Sequence, residues 1–144
     1  VTGVQTCALP ICPTSQKMNG PLQFGLAQGS CLGPLLFTIY TGELFHIIKP
    51  HLRSVMCYAD DTQLYVAFSP KDNRGEDEAI AAMERCIKDL QKWMKEAKLQ
   101  LNTDKTELLL IGTKQQLQKI NMSTLCVGND LIKPSNEVKN LGVW

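Results

Sequence analysis

The chain has 144 residues, 44% of them hydrophobic and 20% charged, the balance of a folded globular protein and too apolar for a disordered one. Net charge is only +1, so composition does not describe a strongly basic nucleic-acid module, and any such binding must come from a local patch or from segments this chain lacks. The longest apolar stretches, such as Leu35-Leu36-Phe37, fall far short of the about 20 residues a membrane helix needs, so no span is expected. The six cysteines are irregularly spaced with no Cys-x-x-Cys pair, which argues against zinc, and no signal peptide is visible. Reduced thiols in an intracellular protein are the expectation.

Residues 1–16 show no periodicity and contain two prolines and two cysteines. The run from Val1 to Ile11 looks like the conceptual translation of a common short-read sequencing adapter, with every residue matching. Residues 1–16 are therefore set aside as an artefactual N-terminal segment that should lack regular structure and make few contacts, the biological chain starting upstream. Residues 25–34 hold three glycines and a proline, marking a loop. Leu36, Ile39, Tyr40, Leu44 and Ile47 then follow a 3.6-residue period, which predicts a helix over 35–48 between Pro34 and Pro50.

Residues 55–58 and 64–68 are rich in strand formers on either side of Ala59-Asp60-Asp61-Thr62, which reads as a hairpin with an acidic turn. The polar stretch 69–75 reads as a loop. The clearest helix runs from Glu76 to Lys98, where Ile80, Met83, Ile87, Leu90, Met94 and Ala97 form one apolar stripe. Acidic residues at its start and lysines toward its end suit the helix dipole. Residues 99–105 read as a polar turn after two apolar residues. Residues 107–111 form a strand closed by Gly112, and 114–120 a short helix. Residues 126–127, 131–132 and 138–144 read as short strands, with Gly128-Asn129-Asp130 as a turn.

Asp60-Asp61 is the strongest chemical signal. Two adjacent carboxylates in an apolar hairpin repel each other and resist burial. They either face water or share a divalent cation, and magnesium suits oxygen ligands of this kind. The dipeptide alone reads first as a solvated turn. The glycine loop opening a helix suits phosphate or sugar but lacks the Walker pattern. His46 and His51 have no evident partner and Ser30 no evident base, so no hydrolase is built on them. Trp93 and Met94 read as core.

Order and spacing together are more specific. Over about residues 20–144 the sequence resembles the reverse transcriptase of non-LTR (LINE-type) retrotransposons. Leu26-Ala27-Gln28-Gly29-Ser30 resembles the family's Pro-Gln-Gly-Ser motif, with Ala27 in place of proline. Tyr58-Ala59-Asp60-Asp61 resembles its Tyr-x-Asp-Asp box. Leu101-Asn102-Thr103-Asp104-Lys105-Thr106-Glu107 resembles its Leu-Asn-x-x-Lys-Thr-Glu segment, and Asn140-Leu141-Gly142-Val143 the start of the primer-grip region.

The resemblance implies an α+β fold: an incomplete ferredoxin-like polymerase palm, with an antiparallel sheet and helices on one face. It implies an RNA-directed DNA polymerase that takes an RNA template, a DNA primer and deoxynucleoside triphosphates. Catalysis would be two-metal nucleotidyl transfer with Mg2+. Asp60 and Asp61 would be catalytic metal ligands. Gln28, Gly29 and Ser30 would line nucleotide and template, Tyr58 would lie by the primer end, and Lys105 would clamp or protonate the departing pyrophosphate. Such enzymes work at nuclear DNA after cytoplasmic translation.

The family's other essential aspartate lies on a strand before the glycine loop, and no aspartate occurs between Met18 and Gly25. The expectation is thus a partial domain over 20–144, truncated at both ends and inactive by itself. The rival readings are an inactive retroelement remnant and a small interaction module with a solvated Asp-Asp turn.

Overall fold

The computed structural model describes residues 4–13, 35, 38–39, 41–58, 61–69, 73–97 and 99–137. In chain order the elements are β1 (Val4–Pro13), α1 (Glu43–Ile48), β2 (Ser54–Tyr58), β3 (Asp61–Ala67), α2 (Asn73–Glu96), β4 (Leu99–Leu101), a single 3-10 turn (Thr103–Lys105) and β5 (Glu107–Ile111). The short helix α3 (Lys114–Leu117) and strands β6 (Leu125–Val127), β7 (Asp130–Ile132) and β8 (Pro134–Ser135) follow. The main sheet has the order β2-β3-β1-β5-β8, with β4 pairing β1 off that path, and β6-β7 form a separate hairpin. All pairings are antiparallel except β5 with β8. This is the expected α+β architecture.

The core lies between α2 and one face of the sheet. Met83, Ile87, Leu90 and Met94 are fully buried and Ile80 half-buried, so the predicted stripe faces inward. They meet Leu64 of β3 and Leu108 of β5, together with Leu44, Ile48 and Leu52 from α1 and the turn after it. The helix starts at Asn73, inside the stretch expected to be a loop, and ends at Glu96. Its buried Glu76 accepts a hydrogen bond from the Asn121 backbone N–H at 3.0 Å, and Glu84 accepts one from that of Cys126 at 3.1 Å. Two carboxylates eight residues apart on one helix face therefore hold the segment that leads into β6.

The first helix buries Leu44 of its expected stripe and packs Ile47 against the core, and only Ile39 falls outside it among the described residues. Ile39 is 67% exposed, Ile47 is half-buried and Ile48 is fully buried. Backbone at 35, 38–39 and 41 is helical, and Gly42, with helical φ −57 and ψ −29, bonds its N–H to Ile39 O at 3.2 Å just before α1 begins at Glu43. Leu36 and Tyr40 lie outside the described residues. His51, read from sequence as unpartnered, pairs with Asp89 at 2.8 Å, and Trp93 Nε1 donates to Glu43 Oε2 at 2.9 Å. Both contacts tie α1 and its following turn to α2.

Further boundaries also moved. β3 begins at Asp61, β4 occupies the start of the expected turn, and α3 stops at Leu117. The 126–132 hairpin is present, its turn carried by Gly128 at φ 66, a left-handed angle that a side chain resists. Residues 138–144 lie outside the described residues.

The largest departure is β1. Residues 4–13 were expected to lack regular structure, yet they form a ten-residue strand between β3 and β5. Val4 to Pro10 pair with Ala67 to Asp61, Val4 to Ala8 pair with Ile111 to Glu107, and Ile11 to Pro13 pair with Leu101 to Leu99. The physical reason is backbone supply and demand. Without a strand between them, β3 and β5 would each present a row of unpaired N–H and C=O groups. A ladder is made by main-chain atoms, so it demands an extended backbone rather than a particular side-chain pattern. Proline is normally kept out of central strands. Pro10 falls where the partner on one side of β1 changes, after the last β5 pair at Ala8 and before the first β4 pair at Ile11.

Candidate polymerase site

Strand alternation sorts the sheet into two faces. Thr62, Leu64 and Leu108 are buried toward the helices. The alternate positions, Asp61, Gln63 and Tyr65 of β3, Met56 and Tyr58 of β2 and Glu107 of β5, belong to the other face. There Met56 is 40% and Tyr58 63% exposed. The chain thus folds locally so that Asp61 stands on the face opposite the one packed by α1 and α2.

Asp61 is the first residue of β3 and half-buried, paired with Tyr58 on one side and Pro10 on the other. One residue on, Thr62 is buried and donates its hydroxyl to Cys57 Sγ at 3.7 Å. Burial pushes the Cys57 thiol up, and this hydrogen bond partly opposes it. Gln63 is buried although its alternation places it on the open side, and its Oε1 accepts from the Tyr65 hydroxyl. These contacts anchor β3 next to its acidic start. Asp60 and the Gln28, Gly29 and Ser30 loop lie outside the described residues, so their expected roles are not placed here.

Lys105 is exposed on the 3-10 turn that joins β4 to β5. The turn explains part of its motif. Asn102 Oδ1 accepts from the Lys105 backbone N–H at 3.3 Å, and the Thr106 hydroxyl donates to Asn102 O at 2.8 Å. Asn102 and Thr106 thus hold the backbone that carries Lys105. The turn packs against β1, which separates it from Asp61. Two strand spacings put the two sites roughly 10 Å apart at one end of the sheet. Sequence reasoning missed Glu107 as a member of that face. It stands in one register row with Met56, Gln63 and Ala8, and period-two alternation from Leu108 was the signal available.

The donors present suit part of a divalent-cation site. Asp61 supplies a hard carboxylate oxygen within reach of solvent. The neighbouring strand supplies no second one, because no residue of 4–13 bears a carboxylate. Among the described residues no group of three His, Cys, Asp or Glu side chains gathers to hold a metal. The residues in hand therefore do not fit a complete two-ion centre.

A largely antiparallel sheet packed by helices on one face, with Asp61 at the start of a central hairpin strand, is compatible with an incomplete α+β polymerase palm. The chain belongs to the reverse transcriptase (RNA-dependent DNA polymerase) family, whose pattern matches residues 6–144. The family's reaction depends on divalent metal ions. The chain is also similar to a Drosophila melanogaster protein described as a probable RNA-directed DNA polymerase from transposon BS, at 30% identity over 90 residues. That match covers 59% of this chain and 9% of the relative. No solved structure matches. The family match begins at residue 6, within the segment set aside above. Among the described residues no helix is long and apolar enough to cross a membrane.

Proposed function

We propose that this chain is the palm portion of the reverse transcriptase of a non-LTR retrotransposon, which in a longer protein copies an RNA template onto a DNA primer from deoxynucleoside triphosphates. The observation that carries the reading is the strand pair β2-β3 flanking Tyr58-Ala59-Asp60-Asp61, with Asp61 on the sheet face opposite α1 and α2 and the Lys105 turn at the same end of the sheet. In that reading Asp60 and Asp61 are ligands to Mg2+, which supplies charge stabilisation for nucleotidyl transfer. Tyr58 flanks the primer end, Lys105 offers a positive charge toward pyrophosphate, and Gln28, Gly29 and Ser30 line nucleotide and template. The adapter-like residues 1–11 are, on their residue-for-residue match, foreign to that protein.

Primer extension on an RNA template with magnesium tests the reading. A parent protein extended through an acidic upstream strand should polymerise, and Asp60→Ala should abolish its activity. The 144-residue chain should not polymerise. An extended parent that stays inactive, or stays active without Asp60, overturns the assignment.

A further inference from the structure

We propose that the cavity between the first turns of α2 and the segment before β6 is a binding site for an alkylguanidinium group, held by the buried carboxylate of Glu76. None of the lining residues belongs to the acidic hairpin or the lysine turn, and the inference does not rest on the polymerase reading.

The cavity has a volume of about 320 Å³. Glu76, Asp77 and Ile80 of α2 line one side, and residues 121–124 line the other. Glu76 is only 4% exposed, while Asp77 is open to solvent. An ionised carboxylate offers two oxygens and about four lone-pair sites. Glu76 Oε1 accepts the Asn121 backbone N–H at 3.0 Å, and among the described residues no other donor reaches this side chain and no lysine or arginine pairs with it. A carboxylate so buried, with one neutral donor, lacks most of the hydration it would have in water. The first turn of α2 offsets part of that loss, since a helix N-terminus carries about half a positive charge. Two carboxylates outweigh it, so the cavity stays net negative.

Size and lining select the cation. A space this large would leave a bare divalent ion mostly to water, and no group of three His, Cys, Asp or Glu side chains gathers among the described residues. Ile80 and Met122 are half-buried and offer apolar surface to a hydrocarbon stem. Ser123 and Thr124 bring hydroxyl oxygens that accept further N–H groups. A planar guanidinium meets a carboxylate through two parallel N–H bonds, and Glu76 keeps Oε2 and a second lone pair of Oε1 for them. The ligand is thus a guanidinium on a short apolar stem, either a free small molecule or an arginine side chain.

The test titrates n-propylguanidinium into the full 144-residue chain at constant ionic strength and follows the backbone amide signals of residues 121–124 by NMR, with neutral n-propylurea as the isosteric control. Those signals should shift saturably with the guanidinium and stay still with the urea. Glu76→Gln keeps an acceptor for the Asn121 N–H but loses the charge, and should weaken binding about tenfold or more. Asp77→Asn, at an exposed position, should weaken it about two- to fivefold. A capped Gly-Arg-Gly peptide separates the two sources. Shifts at the same amides show that an arginine side chain enters the site, and shifts with the small guanidinium alone restrict it to free ligands; either result supports the site. No saturable shift, an equal response to n-propylurea, or undiminished binding by folded Glu76→Gln overturns the proposal. Should Glu76→Gln lose the dispersed amide spectrum of a folded chain, Asp77→Asn decides, and binding there as tight as in wild type overturns the proposal as well.

Discussion

Helix α2 and strand β1 are both central to the fold, the one placed by a stripe of buried side chains and the other by backbone ladders on both its edges. The helix is fixed by side chains. Met83, Ile87, Leu90 and Met94 fill the space over β3 and β5, and Glu76 and Glu84 fasten the segment before β6. The strand's main chain runs in ladders with β3 on one side and with β5 and β4 on the other. Side-chain fixation leaves a pattern in the sequence, because apolar residues must recur on one face. Main-chain fixation leaves almost none, because every residue carries the same backbone and only proline lacks the donor. An element can therefore be indispensable to a sheet while its sequence reads as structureless.

Removing β1 sharpens the comparison most. A chain lacking residues 1–13 exposes the facing edges of β3 and β5, which then pair with other molecules or collapse. Size-exclusion chromatography should show aggregates, and thermal unfolding should lose its single cooperative transition. A monomer that melts as sharply as the full chain would show that β1 is dispensable.

The helix side of the comparison predicts a graded loss instead. Leu90 is 1% exposed at the centre of the stripe, and Leu90→Ala should cost about 2–5 kcal/mol in urea unfolding while the variant remains monomeric. A cost below about 0.5 kcal/mol, the range of ordinary surface changes, would contradict its place in the core.

The smallest expected effect concerns pH. Cys86 is fully buried on α2, and burial, followed by the nearby Asp89 carboxylate, pushes its thiol from 9.0 up to about 12. In this window the unfolded chain releases the proton before the folded chain does, so stability falls as pH rises from about 9 toward about 12. Cys86→Ala should flatten that part of the profile relative to wild type in chemical denaturation at stepped pH. Parallel profiles would mean that Cys86 ionises as freely in the folded chain as in the unfolded one.

The candidate site divides along the same line. The acidic hairpin and the lysine turn were legible because their chemistry resides in particular side chains at close sequence spacing, and the structure places Asp61 and Lys105 at one end of one sheet. The role of Asn102 and Thr106 in shaping that turn was not legible, since their hydrogen bonds are to backbone atoms and any polar residue there looks alike in sequence. Nor was Glu107, whose membership in the open face depends on strand register across β1.

The sequence by itself determined the α2 stripe, the β5 strand, the 126–132 hairpin and the β2-β3 strand pair, because local periodicity and turn chemistry act over a few residues. It placed the first helix and its buried Leu44, while the exposure of Ile39 was not legible. Only the tertiary structure decided that residues 4–13 lie between β3 and β5, and that proline, not an acid, stands opposite Asp61. Pairing across the sheet joins residues more than fifty positions apart through groups common to all residues, so no short stretch of sequence records it.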